Sequence, residues 1–141
     1  MAKGDRCGVG TLAKVNAQIA AVRADDGGLR LDMGVLVDGG DGQPQTSLRA
    51  ASVALASSSV ILRTEMDFQR ARGRLAWRNV SSGAWAQLGD EFELVYDWRT
   101  GTFQGPQYAI FCFNPGASPG YIDVDWFHFS DQALTPQPPP P

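Results

Sequence analysis

Carboxylates are the first side chains to weigh. Glu65, Asp67, Asp90, Glu91, Glu93, Asp97, Asp123 and Asp125 all fall in the second half of the chain. Cleaving a glycosidic bond takes two carboxyl groups facing each other across it. No spacing here singles out such a pair. Glu65 and Asp67 alternate onto one strand face, and a solvated face is the favoured reading. The single histidine, His128, sits in an aromatic run. It reads as structural rather than as a base or metal ligand. Two distant cysteines and one histidine fit no zinc spacing. The chain therefore reads as non-catalytic.

The aromatic residues carry more. Sugar rings offer flat C–H faces that stack on indole and phenol, while their hydroxyls bond planar polar groups. Trp98 lies in a polar loop, Tyr96-Asp97-Trp98-Arg99-Thr100-Gly101, and is the leading candidate platform. The bland alternative is a loop anchor over the core edge. Arg63 and Glu65, on the polar face of the central strand, would supply hydrogen bonds from a concave sheet. Trp77 can point either way: it shares parity with Leu75, and the neighbouring Arg78 reads as exposed. Tyr121 is a weaker addition.

Other motifs carry less. Gly8-Val9-Gly10-Thr11-Leu12-Ala13 matches a dinucleotide fingerprint, but neither the preceding strand nor the following helix is there. Glycines of a strand-entry loop are the preferred reading. Asp38 and Asp41, or Asp123 and Asp125, leave room for a structural calcium. Turn chemistry and edge hydrogen bonding are preferred, so no cofactor is expected. Arg70, Arg72 and Arg74 read as a solvated turn, and Asn79-Val80-Ser81 as a chance sequon.

Strands must position these groups. Lys14 to Arg23 and Leu29 to Val37 alternate, and Ala24-Asp25-Asp26-Gly27-Gly28 between them supplies a tight turn. Thr46 to Ala56 is ambiguous, with strand favoured. Val60 to Phe68 alternates clearly: Val60, Leu62, Thr64, Met66 and Phe68 on a buried face, Arg63, Glu65 and Asp67 on a polar one. Arg74 to Val80 returns after a turn, and Ala84 to Gly89 follows Ser81-Ser82-Gly83. Ala109 to Asn114 is an apolar strand containing Cys112. Gly120 to Ser130, rich in β-branched and aromatic residues, reads as a long last strand.

The 141 residues suit one domain with a real core, and 16 Gly with nine Pro suit many turns. A net charge of −3 gives no global attraction to nucleic acid or anionic membrane. No apolar run approaches the roughly 20 residues of a transmembrane helix. Leu134 to Pro141 reads as a polyproline linker, with the sandwich spanning 1–133 and the linker 134–141. That implies a piece of a larger protein, secreted or at the cell surface, without its signal. Cys7 lies near a chain end, and whether it bridges to Cys112 depends on distance in space.

The order of these elements resembles the β-sandwich that follows the catalytic propeller in family 43 glycoside hydrolases (xylosidases and arabinofuranosidases). The matching residues are Leu62-Arg63, Trp77, Ser82-Gly83, Trp85, Leu88 and Gly89. Phe103-Gln104-Gly105, the strand ending Phe111-Cys112-Phe113-Asn114 and Asp123-Val124-Asp125-Trp126-Phe127 complete the match. The resemblance implies an all-β, antiparallel β-sandwich of jelly-roll or concanavalin-like type. It also implies that Trp85 packs inward; Trp126 shares parity with Ile122 and Val124 and is expected in the core.

The expected function is a non-catalytic carbohydrate-binding module. Its ligand would be a β-linked plant polysaccharide such as xylan, held for a tethered glycoside hydrolase. The alternative is a structural accessory domain packed on the propeller without binding glycan. The chain is shorter than the family domain usually is, so an uncovered strand edge is expected, with pairing to a second copy as its consequence.

Overall fold

The computed structural model describes residues 1–37, 46–81, 83–95, 105–114, 116 and 121–131. Among them are nine strands: β1 (Arg6–Leu12), β2 (Val15–Arg23), β3 (Leu29–Val37), β4 (Thr46–Ala54), β5 (Val60–Asp67), β6 (Arg72–Asn79), β7 (Ala86–Gln87), β8 (Phe92–Glu93) and β9 (Gln107–Phe113). They form two antiparallel sheets. One has the order β4-β3-β2-β1-β9; the other runs β5-β6-β7, with β8 also paired to β6.

The first hairpin follows from local chemistry. Gly27 takes a φ of 83°, a conformation open to glycine, and the Ala24 and Gly28 backbones bond across the turn. The turn sets the β2–β3 register, with Ile19 opposite Met33 and Ala21 opposite Leu31. Period-two alternation then sends Ala17, Ile19, Leu31 and Met33 to one face, where all four are buried. The ambiguous segment is strand: β4 pairs with β3, with a register shift between Met33 and Gly34.

Facing them from the smaller sheet are Leu75, Leu88, Phe92 and Leu94. Val60, Leu62, Met66 and Trp77 pack against the same cluster. This is the buried layer of a two-sheet sandwich. Gly73 makes room for it, since a Cβ there would drive into the Phe92 ring.

Three expectations change. Gly8 and Gly10 lie inside β1, not in an entry loop. β1 is a central strand, paired with β2 on one side and β9 on the other. A Cβ at Gly10 would crowd the Ala17 carbonyl, so close approach of β2 accounts for that glycine. Cys7 is likewise buried in β1 and is bridged to Cys112, its cross-strand partner in β9.

Residues 121–131 belong to neither sheet. Trp126 is 48% exposed, and Phe127 and Phe129 are more so. His128 is exposed as well. Alternation makes a segment competent to be a strand, but a ladder also needs a partner edge in reach. The expected linker, 134–141, lies outside the described residues.

Candidate functional site

The outer face of the smaller sheet gathers the polar groups. In the β5–β6 ladder Ile61 faces Arg78, Arg63 faces Ala76, and Glu65 faces Arg74. These six residues share one face because the intervening residues, Leu62, Thr64, Leu75 and Trp77, turn inward. Glu65 is ion-paired with Arg63 along its own strand and with Arg74 across the ladder. Beside them stands Trp85, just before β7. Its ring centroid lies 5.2 Å from the Arg63 guanidinium carbon and 5.0 Å from that of Arg78. At such distances a guanidinium is attracted to the ring's electron-rich face.

The expected site residues are therefore divided. Arg63 and Glu65 come together as an ion pair, on a strand that is at the sheet edge among the described residues rather than central. Trp77 is turned to the core face, away from them. Tyr121 is 75% exposed and lies in the segment outside both sheets. Trp98 and the calcium candidates Asp38 and Asp41 fall outside the described residues. No group of three potential metal ligands occurs among the described residues.

Two residues were missed. Arg78 reads as exposed in the sequence but is buried. Trp85, expected in the core, is half-buried over two arginines on the outer face instead. The signal for Arg78 was present: if Leu75 and Trp77 point inward, Ala76 and Arg78 must share the other face. Nothing local marks Trp85, because its position depends on how the segment after β6 folds back.

A second polar cluster lies on the outer face of the larger sheet. Asp32 is buried there, bonded by Arg30 at 2.9 Å and by the Ser52 hydroxyl at 2.7 Å. Its oxygens are engaged by the fold itself, which makes it a structural fixture.

A third feature is apolar. Tyr108, Ile110 and Phe113 of β9 are exposed, as are Tyr121, Val124, Trp126, Phe127 and Phe129. Tyr108 and Phe129 meet edge to face, with ring centroids 5.7 Å apart. The Tyr108 phenol also has a backbone hydrogen bond at Met66 of β5, which bridges the two sheets. Partial shielding of the phenol from water raises its pKa, against the opposing effect of that bond; the Glu65 charge adds to the rise.

Two antiparallel sheets about an apolar layer, with ion-paired and aromatic groups on their outer surfaces, define an antiparallel β-sandwich. Comparison with known proteins agrees. Residues 1–130 match the model of the β-xylosidase C-terminal concanavalin A-like domain, and the chain belongs to that family.

No curated protein matches it. Among solved structures it is similar to an engineered GH43 glycoside hydrolase, described as displaying both endo-xylanase and exo-arabinofuranosidase activity. The TM-score is 0.71 at 22% identity, over 83% of this chain and 24% of that one. The chain thus spans about a quarter of that enzyme's length, and the likeness concerns the fold.

Proposed function

We propose that this chain is a non-catalytic module of a larger glycoside hydrolase, seated on that enzyme's catalytic domain through the aromatic edge of β9 and residues 121–129. The exposed aromatics carry this reading: Tyr108 and Ile110 share one face of β9, Phe129 meets Tyr108 edge to face, and Phe113, Trp126 and Phe127 are exposed as well. Large apolar groups left to water in this number mark interaction sites. The occupant is argued from the family's description as a C-terminal domain of β-xylosidases and from the short span of the matched enzyme that this chain covers. Hydrogen–deuterium exchange tests it. A family 43 propeller lacking its own sandwich, added in trans, should protect β9 and 121–129. Unchanged exchange in the presence of a folded propeller sinks the reading.

A second reading is that the module itself retains a β-linked plant polysaccharide such as xylan, raising the local concentration of substrate for the tethered enzyme. Trp85 beside Arg63 and Arg78 favours it, since an indole next to hydrogen-bond donors suits a sugar ring. Trp98 remains a further platform candidate. Affinity electrophoresis through gels containing xylan, mixed-linkage glucan or xyloglucan decides it. Retardation in one gel, lost in Trp98→Ala or Trp85→Ala, supports binding. Uniform mobility in all gels removes it. The Cys7–Cys112 bridge supports residence in an oxidising compartment, as in a secreted or cell-surface enzyme. A second copy paired on the edge of β9 left unpaired among the described residues is a further proposal, which sedimentation of the isolated chain checks.

A further inference from the structure

We propose that Arg78, with Arg63 and the Trp85 indole, binds a carboxylate carried on a sugar, that is, a uronate unit of a polysaccharide; this rests on the polysaccharide-binding reading above. Arg78 rises from β6 on the outer face of the smaller sheet. It is 7% exposed, and its Nε is buried without a hydrogen-bond partner. Its neighbours on β5, β6 and the turn between them all have carboxylates: Arg63 and Arg74 share Glu65, Arg70 reaches Glu91, and Arg72 reaches Glu93. Arg78 is the exception among the arginines of β5, β6 and that turn. Its close contact there is the Trp85 ring, which steadies the cation but supplies no anion.

A buried cation without a counter-charge is costly, so the fold holds this guanidinium under an electrostatic debt that a ligand can relieve. Glu65 does not relieve it, being already shared between two other arginines. The surplus positive charge is local, within a chain of net charge −3. A guanidinium fork matches a carboxylate with two parallel hydrogen bonds. An inorganic anion would use the arginines alone. The half-buried indole beside them adds an apolar surface suited to the C–H face of a sugar ring. A hexuronate offers both features on one ring. An acidic side chain from a partner protein offers only the carboxylate.

Calorimetric titration of the 141-residue chain tests this with three probes: a xylo-oligosaccharide bearing one glucuronate branch, the same oligosaccharide unbranched, and N-acetyl-glutamate amide. The acidic sugar should bind about tenfold more tightly than the neutral one, the scale of one partly solvated charge-assisted contact. The gain should shrink with added salt and vanish in Arg78→Gln, while Arg78→Lys keeps part of it. Equal binding of the two sugars overturns the carboxylate site and leaves the polysaccharide reading standing. Binding of neither sugar overturns both. Glutamate amide binding as tightly as the acidic sugar overturns the sugar assignment in favour of a protein carboxylate. Should Arg78→Gln fail to fold, the comparison of probes on the unaltered chain still decides.

Discussion

Asn114 Nδ2 lies 2.6 Å from Asp5 Oδ1 and 3.1 Å from the Lys3 carbonyl, joining the end of β9 to the start of the chain. The Asp5 carboxylate is buried and also accepts a hydrogen bond from the Ala2 backbone N–H. The asparagine that ends the Phe111-Cys112-Phe113-Asn114 stretch thus has a physical task. It satisfies a buried carboxylate that nothing in its own neighbourhood of sequence would predict.

Replacing that asparagine should uncover the charge. Asn114→Ala removes a donor from a buried acceptor, at a cost of about 1–3 kcal/mol. Asn114→Asp should cost more, because it sets a second carboxylate against the first. Urea unfolding measures both. Midpoints unchanged from the parent would mean that water replaces the amide without penalty.

The disulfide should matter through the unfolded chain. Cys7 and Cys112 are 105 residues apart, so their bridge closes most of the polypeptide into one loop. Chain-entropy reasoning gives about 5 kcal/mol for a loop of this length, and native bridges typically contribute about 2–4 kcal/mol. The double variant Cys7→Ser/Cys112→Ser should lower the urea midpoint by a matching amount, and reductant should lower the parent's but not the variant's. A parent indifferent to reductant counts against a stabilising bridge.

Gly73 and Phe92 should behave as a coupled pair. Gly73→Ala places a methyl against the Phe92 ring and should cost about 1–3 kcal/mol. Phe92→Leu alone should also destabilise, by loss of core packing. Together they should cost less than the sum, since the smaller side chain relieves the clash. A double-mutant cycle with no coupling would disprove the contact.

Tyr108 gives a pH signature. Its phenol pKa is raised, chiefly by partial shielding from water, so the folded state resists ionisation. The unfolded chain ionises near pH 10 and gains the advantage above it. The stability tied to this group is therefore fully present below about pH 10 and is lost as pH climbs through the raised value. Absorbance titration should show the Tyr108 phenol ionising late. Tyr108→Phe should remove that late step; its persistence would assign it to another tyrosine.

Much of the sandwich is legible along the chain because alternation reports burial directly. Leu31 and Met33, or Leu62 and Met66, announce their face at every second position. The Asp-Gly turn before Leu29 states where β2 ends. Legibility fails where an interaction spans distant segments. Gly8 and Gly10 look like loop residues until two neighbouring strands flank them. Trp85 is expected in the core by resemblance, yet it stands at the surface beside two arginines from other strands. Arg78 looks solvated because arginine usually is.

The strand character of β2, β3, β5, β6 and β9, the buried faces of β2, β3 and β5 and the all-β class were determined by the sequence itself. Each depends on residue type and period, properties of neighbours along the chain. Tertiary structure alone decided that β1 is central, that Cys7 meets Cys112 and that Asn114 serves Asp5. It also turned Trp77 inward, set Trp85 over Arg63 and Arg78, and left Tyr121 to Ser130 outside both sheets. Those outcomes depend on which edges and faces meet after long loops close, and side-chain periodicity carries no information about that.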